Sequence, residues 1–98
     1  MAVDGLDELL TVFLPILAGD NPGDGATVHV HATDADGEWL VTFTPDGPTV
    51  ERRHARGDTA LRGPAAAMLL ALWGRRGLDG VEVFGDEALV ERLRRAAA

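Results

Sequence analysis

The sequence predicts a single α+β domain, with one mainly antiparallel five-stranded sheet and helices packed on one face. Three observations support this: an N-terminal stripe of helical period, alternating segments joined by Asp-Gly pairs, and a nearly continuous apolar segment near residue 70. A chain of 98 residues has room for one hydrophobic core, so we assign residues 1–98 to one domain. The predicted element order is α-β-β-β-β-α-β-α.

The first element is predicted to be an amphipathic helix. Large apolar side chains recur at helical spacing from Leu6 to Leu17. Asp4 is placed to act as the N-cap, and Pro15 is expected to kink the helix or end its regular part. The stretch Gly19–Gly25 is rich in Gly, Asp, Asn and Pro, which predicts a loop.

Three strands are predicted to follow as an antiparallel meander. Thr27–Thr33 and Glu38–Thr44 alternate between apolar and polar residues, and the pair Asp36-Gly37 between them is a strong hairpin signal. A second Asp-Gly pair, Asp46-Gly47, precedes the predicted strand Thr49–His54.

The second half of the chain is predicted to add a strand and a buried helix. Asp58–Arg62 is the short strand, and Ala65–Trp73 is apolar on nearly every side, so we expect this helix to lie against the sheet. Pro64 suits the first helical position, because its missing N–H has no partner there. Gly74 is the expected C-cap residue.

The last two elements are a strand and a helix. Val81–Phe84 has the composition of a strand. Asp86 is expected to cap the closing helix, which carries Leu89, Val90 and Leu93 on its inner face.

Composition excludes several chemistries. The chain contains no Cys, Ser, Lys, Tyr or Gln, which rules out thiol, serine-nucleophile and Schiff-base catalysis, and no catalytic residue or cofactor is assigned. The net charge of −7 argues against nucleic acid and anionic membranes as partners. The longest apolar run is too short to span a bilayer, and the acidic N-terminus does not match a signal peptide, so we expect a cytoplasmic protein.

Three histidines are candidates for metal binding. His29 and His31 point to the same side of a strand, and His54 could supply a third ligand. The pattern offers no ordered carboxylate partner, so we favour the alternative in which they are polar residues of a hairpin surface, and we assign no metal ligand.

Two arginines and two tryptophans are the predicted ligand-binding residues. Arg62 lies just before a helix N-terminus, where it could help to hold an anion. Arg75 lies at the other end of the same helix, where compensation of the helix dipole is an equal alternative. Trp39 and Trp73 are large enough to wall an apolar pocket, although core packing explains them equally well.

Five segments of the sequence resemble the C-terminal domain of actinobacterial mycothiol-dependent maleylpyruvate isomerases. They are 28–34 (VHVHATD), 37–41 (GEWLV), 58–65 (DTALRGPA), 69–75 (LLALWGR) and 83–86 (VFGD). The resemblance implies a fold like that of sterol carrier proteins. It also implies a thiol-cofactor pocket to which an arginine contributes, with Arg75 as the match by position and Arg62 as the second choice.

The same resemblance bears on function. In that family a helical bundle in front of this domain supplies the metal ligands, and we expect this chain, whose first helix already matches the C-terminal domain, to lack that bundle. We therefore expect a stand-alone, non-catalytic domain that binds a small apolar or amphipathic ligand or a partner protein. The alternative is an accessory subunit that completes a mycothiol-dependent metal site together with a separate helical-bundle protein. A homodimer also remains open.

Overall fold

A computed structural model describes residues 2–14, 23–73 and 77–97 of the chain. Within these ranges it contains five strands in one sheet and a layer of helices. The expectations for Pro15, Leu17, Gly74 and Arg75 lie outside the described residues, as does most of the predicted loop after the first helix. The predicted fold class and element order are confirmed.

The N-terminal helix begins earlier than the sequence predicts. Helix α1 spans Ala2–Glu8, so Asp4 lies inside its first turn and is not the N-cap. A π-helical segment, Leu9–Phe13, continues it, and the N–H of Leu14 donates to the carbonyl of Leu9. This five-residue spacing is the π-helical hydrogen bond, and it keeps Leu9, Leu10 and Leu14 buried together.

The sheet has the order β3-β2-β1-β4-β5. Its strands are β1 (Thr27–Ala32), β2 (Glu38–Thr44), β3 (Gly47–Glu51), β4 (Thr59–Gly63) and β5 (Glu82–Phe84). All neighbours are antiparallel except β1 and β4, which are parallel. The meander β1-β2-β3 is as predicted, but β3 ends at Glu51 instead of His54. It ends there because the chain must leave one edge of the sheet to reach β4 beside β1.

Two further helices complete the layer, each capped by a carboxylate. Helix α2 spans Ala65–Leu72, and the N–H of Ala65 donates to Oδ1 of Asp34 at 2.9 Å. Helix α3 spans Glu87–Ala97, and Oδ1 of Asp86 accepts the N–H of Ala88 at 2.9 Å, as predicted. Pro64 has an extended ψ of 142° and precedes α2, so the prediction that it occupies the first helical position is wrong.

The core lies between one face of the sheet and the helices. Strands β1 and β2 alternate regularly between buried and half-buried residues, and their buried side chains pack against α1, α2 and α3. Helix α2 is buried on one side only: Met68 and Ala71 are inside, whereas Ala66 is exposed. The expectation that α2 is buried all round is therefore only partly met. Among the described residues, no helix combines the length and apolarity needed to cross a bilayer.

Candidate functional site

The face of the sheet opposite the helices, which we call the helix-free face, carries several polar side chains that could bind a ligand. His29 and His31 point to this face because they alternate along β1 with the buried Val28 and Val30. The β1–β2 hairpin pairs His31 with Glu38, which therefore projects from the same face. The connection between β3 and β4 brings His54 to the same place.

The three histidines surround the carboxylate of Glu38. Its Oε1 lies 2.7 Å from Nδ1 of His54, 3.0 Å from Nε2 of His29 and 3.5 Å from Nδ1 of His31. The ring centroids of His29 and His54 are 6.1 Å apart. We call Glu38 and these three histidines the His-Glu cluster. They come from β1, β2 and the β3–β4 connection, so the sheet topology assembles them.

The electrostatics of the cluster keep Glu38 charged. The hydrogen bond to His54 lowers the pKa of Glu38 below its usual value, and the hydrogen bond to His29 acts in the same direction against the partial desolvation. An ionised carboxylate has no proton to donate. The facing nitrogens, Nε2 of His29 and Nδ1 of His54, therefore carry the protons of these two hydrogen bonds.

The carboxylate partner was the element that sequence reasoning missed. Glu38 is not part of the histidine pattern in the sequence, because the hairpin connection separates it from His31. A two-residue turn at Asp36-Gly37 would set Ala35 opposite Glu38, whereas the longer connection observed sets His31 opposite Glu38, so the register could not be predicted from the Asp-Gly pair.

A groove of about 340 Å³ adjoins the cluster and shares His29 with it. Arg56, Asp58 and Phe84 contribute to its walls. Asp58 is already engaged, since its Oδ2 accepts hydrogen bonds from the backbone N–H of Thr27 at 2.9 Å and from its hydroxyl at 3.2 Å. Arg56 and Phe84 are therefore the charged and apolar groups that the groove offers to a ligand.

The four predicted ligand-binding residues do not lie together. Trp39 is buried under the helices, where its Nε1 donates to Oδ1 of Asp7 at 2.7 Å. Trp73 is half exposed directly after α2. Arg62 is exposed on the helix-free face, paired in register with His31. Arg75 lies outside the described residues.

The predicted anion site at the start of α2 has a different occupant. The carboxylate of Asp34 accepts the N–H of Ala65 there. An incoming anion would have to displace a charge of its own sign, and Arg62 points to the opposite side of the sheet from the helices.

The helical layer exposes large apolar side chains. Val12 and Phe13 are exposed on the π-helical segment, and Trp73 is exposed at the end of α2. Helix α3 contacts both the π-helical segment and α2, so it connects the two elements that carry these side chains. Contiguous exposed apolar patches often mark binding surfaces, so these side chains make the helical layer a candidate surface for an apolar ligand or partner.

Comparison with protein families gives one match that covers nearly the whole chain. The model of the MDMPI C-terminal domain matches residues 1–92. None of the curated protein sequences matches this chain.

Solved structures with a similar fold include carrier proteins and part of an enzyme. Palmitated SCP2L2 (sterol carrier protein 2 like 2) from Aedes aegypti has a TM-score of 0.65 at 16% identity, covering 99% of this chain and 95% of that one. The UbiJ-SCP2 ubiquinone synthesis protein has a TM-score of 0.55 at 17% identity, with 97% and 86% covered.

The enzyme is the sec-alkylsulfatase Pisa1 from Pseudomonas sp., with a TM-score of 0.62 at 11% identity. The match covers 82% of this chain but only 13% of the sulfatase. At these identities the likeness establishes a sterol-carrier-like fold.

Proposed function

The chain belongs to the MDMPI C-terminal domain family, and from this premise we propose that it is a non-catalytic domain that binds an apolar or amphipathic small molecule. The observation that carries the proposal is the set of exposed apolar side chains on the helical layer, Val12, Phe13 and Trp73. The SCP2L2 structure of the same fold, which covers 99% of this chain, is described as palmitated. A long acyl chain is therefore the ligand class that we propose.

The helical layer is the better place for such a ligand than the helix-free face. A long alkyl chain gains about 0.8 kcal/mol for each CH₂ group that leaves water, so it needs a mainly apolar contact surface. The groove on the helix-free face is flanked by Arg56, Asp58 and His29, whose polar groups would lose water against an alkyl chain. The helix-free face also has an exposed aromatic side chain, Phe84, beside these polar groups, whereas the helical layer exposes Phe13 and Trp73.

Tryptophan fluorescence provides a direct test. The chain has two tryptophans, and Trp39 is buried whereas Trp73 is 50% exposed. Palmitate, added below its micellar concentration, should shift the emission of Trp73 to shorter wavelength. The Trp73→Phe variant retains only the buried Trp39 and should show no shift. Native mass spectrometry should detect one palmitate per chain.

A pair of matched variants locates the binding surface. Trp73→Glu places a charge on the helical layer and should weaken palmitate binding by about tenfold or more. Phe84→Glu is the control, because Phe84 is 48% exposed but lies on the helix-free face. Equal palmitate affinities of the two variants, or no binding to the wild type, would overturn the proposal.

Family membership also supports a second candidate function. The sequence resembles the C-terminal domain of isomerases in which a helical bundle supplies the metal ligands, so a separate metal-binding helical bundle is a candidate partner. In this case a thiol cofactor would bind between the two proteins, with Arg75 or Arg62 contributing. Copurification of such a bundle with the tagged chain tests this function. Reconstituted activity that is unchanged in both Arg75→Ala and Arg62→Ala would contradict it.

A further inference from the structure

We propose that the His-Glu cluster is a binding site for a divalent transition-metal ion of the zinc type, with His29, Glu38 and His54 as its ligands. Each residue offers one donor atom, and the three donor atoms lie within 4.8 Å of one another. Two imidazole nitrogens and one carboxylate oxygen form a donor set that suits Zn²⁺ and related ions. This site is separate from the apolar surface of the helical layer.

Two of the three donor pairs have a spacing close to that of a tetrahedral site. With zinc–ligand bonds of about 2.0–2.1 Å, neighbouring donors in a tetrahedron lie about 3.3 Å apart. Oε1 of Glu38 is 3.0 Å from Nε2 of His29 and 2.7 Å from Nδ1 of His54. Movements of a few tenths of an ångström bring these two pairs to that spacing. The nitrogens of His29 and His54 lie within 4.8 Å of each other, and the exposed His54 can move to close this third pair. The ion would replace two hydrogen-bonding protons.

The fold holds two of the ligands and leaves the third free to adjust. His29 and Glu38 lie on adjacent central strands, and their side chains are only 12% and 25% exposed. The side chain of His54 is 85% exposed and comes from the connection after β3. Two fixed donors reduce the entropy that binding must overcome, and the exposed third donor can close on the ion.

The surrounding charges indicate which histidines bind. Arg62 is paired in register with His31 and would repel a cation held there, and Nδ1 of His31 is also the most distant of the three nitrogens from Oε1 of Glu38. The arginines next to His54 are engaged elsewhere: Arg52 donates to the carbonyl of Asp36, and Arg53 pairs with Glu51 at 3.2 Å. The net charge of −7 favours cation binding overall.

A three-residue ligand set leaves one coordination position of a tetrahedral ion for water or another small ligand. This position would open to solvent, since the cluster lies on the helix-free face. The site would thus resemble open metal sites in its ligand number, whereas structural zinc sites use four protein ligands.

Zinc titration of a tag-free protein tests the site. The chain has three histidines and no cysteine, so the imidazole proton NMR signals report directly on binding. We expect one equivalent of ZnCl₂ to perturb the signals of His29 and His54 and calorimetry to give a stoichiometry of one. MgCl₂ at the same concentration should leave these signals unchanged, because Mg²⁺ prefers an all-oxygen shell.

Three variants define the ligand set. Loss of a hydrogen-bonding partner outside the ligand set of a metal site typically costs 10–100-fold in affinity, so removal of a ligand in His54→Ala or Glu38→Gln should cost at least tenfold. His31→Ala should change the affinity by less than about threefold. His54 is highly exposed, so its removal should not disturb folding. Zinc binding that is equally strong in His54→Ala, or that does not perturb the histidine signals, would falsify the proposal.

Discussion

At the scale of single residues, the contact between Trp39 and Asp7 joins the sheet to the first helix. The indole Nε1 of the buried Trp39 donates to Oδ1 of Asp7 at 2.7 Å. We predict that Asp7→Ala lowers the free energy of unfolding by about 1–3 kcal/mol, because a buried donor loses its partner. Asp7→Asn keeps an acceptor oxygen and should lose clearly less. Urea denaturation of both variants makes the comparison, and equal losses would show that the hydrogen bond is not responsible.

Asp24 and Arg92 form an ion pair whose contribution to stability depends on pH. NH1 of Arg92 donates to Oδ1 of Asp24 at 3.0 Å, and this hydrogen bond lowers the pKa of Asp24 below its usual value of 3.8. The pair therefore stabilises the fold above pH 3.8, and this contribution is lost as the pH falls through the lowered pKa. The effect on stability is small because the side chain of Asp24 is 72% exposed to solvent.

NMR titration of the Asp24 side-chain carboxyl carbon measures this pKa directly. Arg92→Met retains apolar contact with the ring of Phe43, over which the guanidinium lies at 4.5 Å, but removes the charge. It should raise the pKa of Asp24 towards 3.8. Arg95→Met, an exposed change on the same helix, is the control and should leave the titration unaltered.

Only part of the His-Glu cluster could be predicted from the residue pattern of the sequence. Alternation along β1 was sufficient to place His29 and His31 together, because side chains two apart on a strand share a face. The position of His54 did not follow from its pattern. Continued as a strand, β3 would have pointed His54 to the helical side, like Val50, which pairs with Val41. The chain leaves the sheet after Glu51, and this departure brings His54 to Glu38.

At the scale of the elements, helix α2 provides a test of one-sided burial. Met68 is fully buried in the core, whereas Leu70 is half buried and is not part of the core packing. We predict that Met68→Ala lowers the free energy of unfolding by about 2–5 kcal/mol, through lost apolar contacts and a residual cavity. Leu70→Ala should cost about 1 kcal/mol. Comparable losses in thermal or urea unfolding would mean that α2 is buried on both sides.

The elements themselves were largely predictable, and their ends and pairings were less so. Hydrophobic alternation and the two Asp-Gly pairs located β1 and β2 because these signals are local. The parallel pairing of β1 with β4 joins residues about 30 positions apart, so no local pattern encodes it. The π-helical turn at Leu9–Phe13 was not predicted either, because the spacing of the leucines fits an α-helix and a π-bulge almost equally well.

At the scale of the whole molecule, the sheet separates two different surfaces. The helical layer exposes apolar side chains, and the helix-free face bears the His-Glu cluster and the adjoining groove. A fold with this division can bind an apolar chain on one side and a cation on the other without direct contact between them. The two proposals are therefore independent, and Phe84→Glu and His54→Ala should leave palmitate binding intact.

The proposed metal site joins distant parts of the chain, so bound metal should stabilise the fold. Its ligands come from β1, β2 and the connection to β4, so the ion would bind the folded state and hold three segments of the sheet together. At a free zinc concentration 100 times the dissociation constant, we predict a gain of about 2.7 kcal/mol in the free energy of unfolding. Urea denaturation should show a higher midpoint at an unchanged slope. His54→Ala should gain clearly less at the same zinc concentration, and an equal gain in that variant would assign the effect to zinc bound elsewhere.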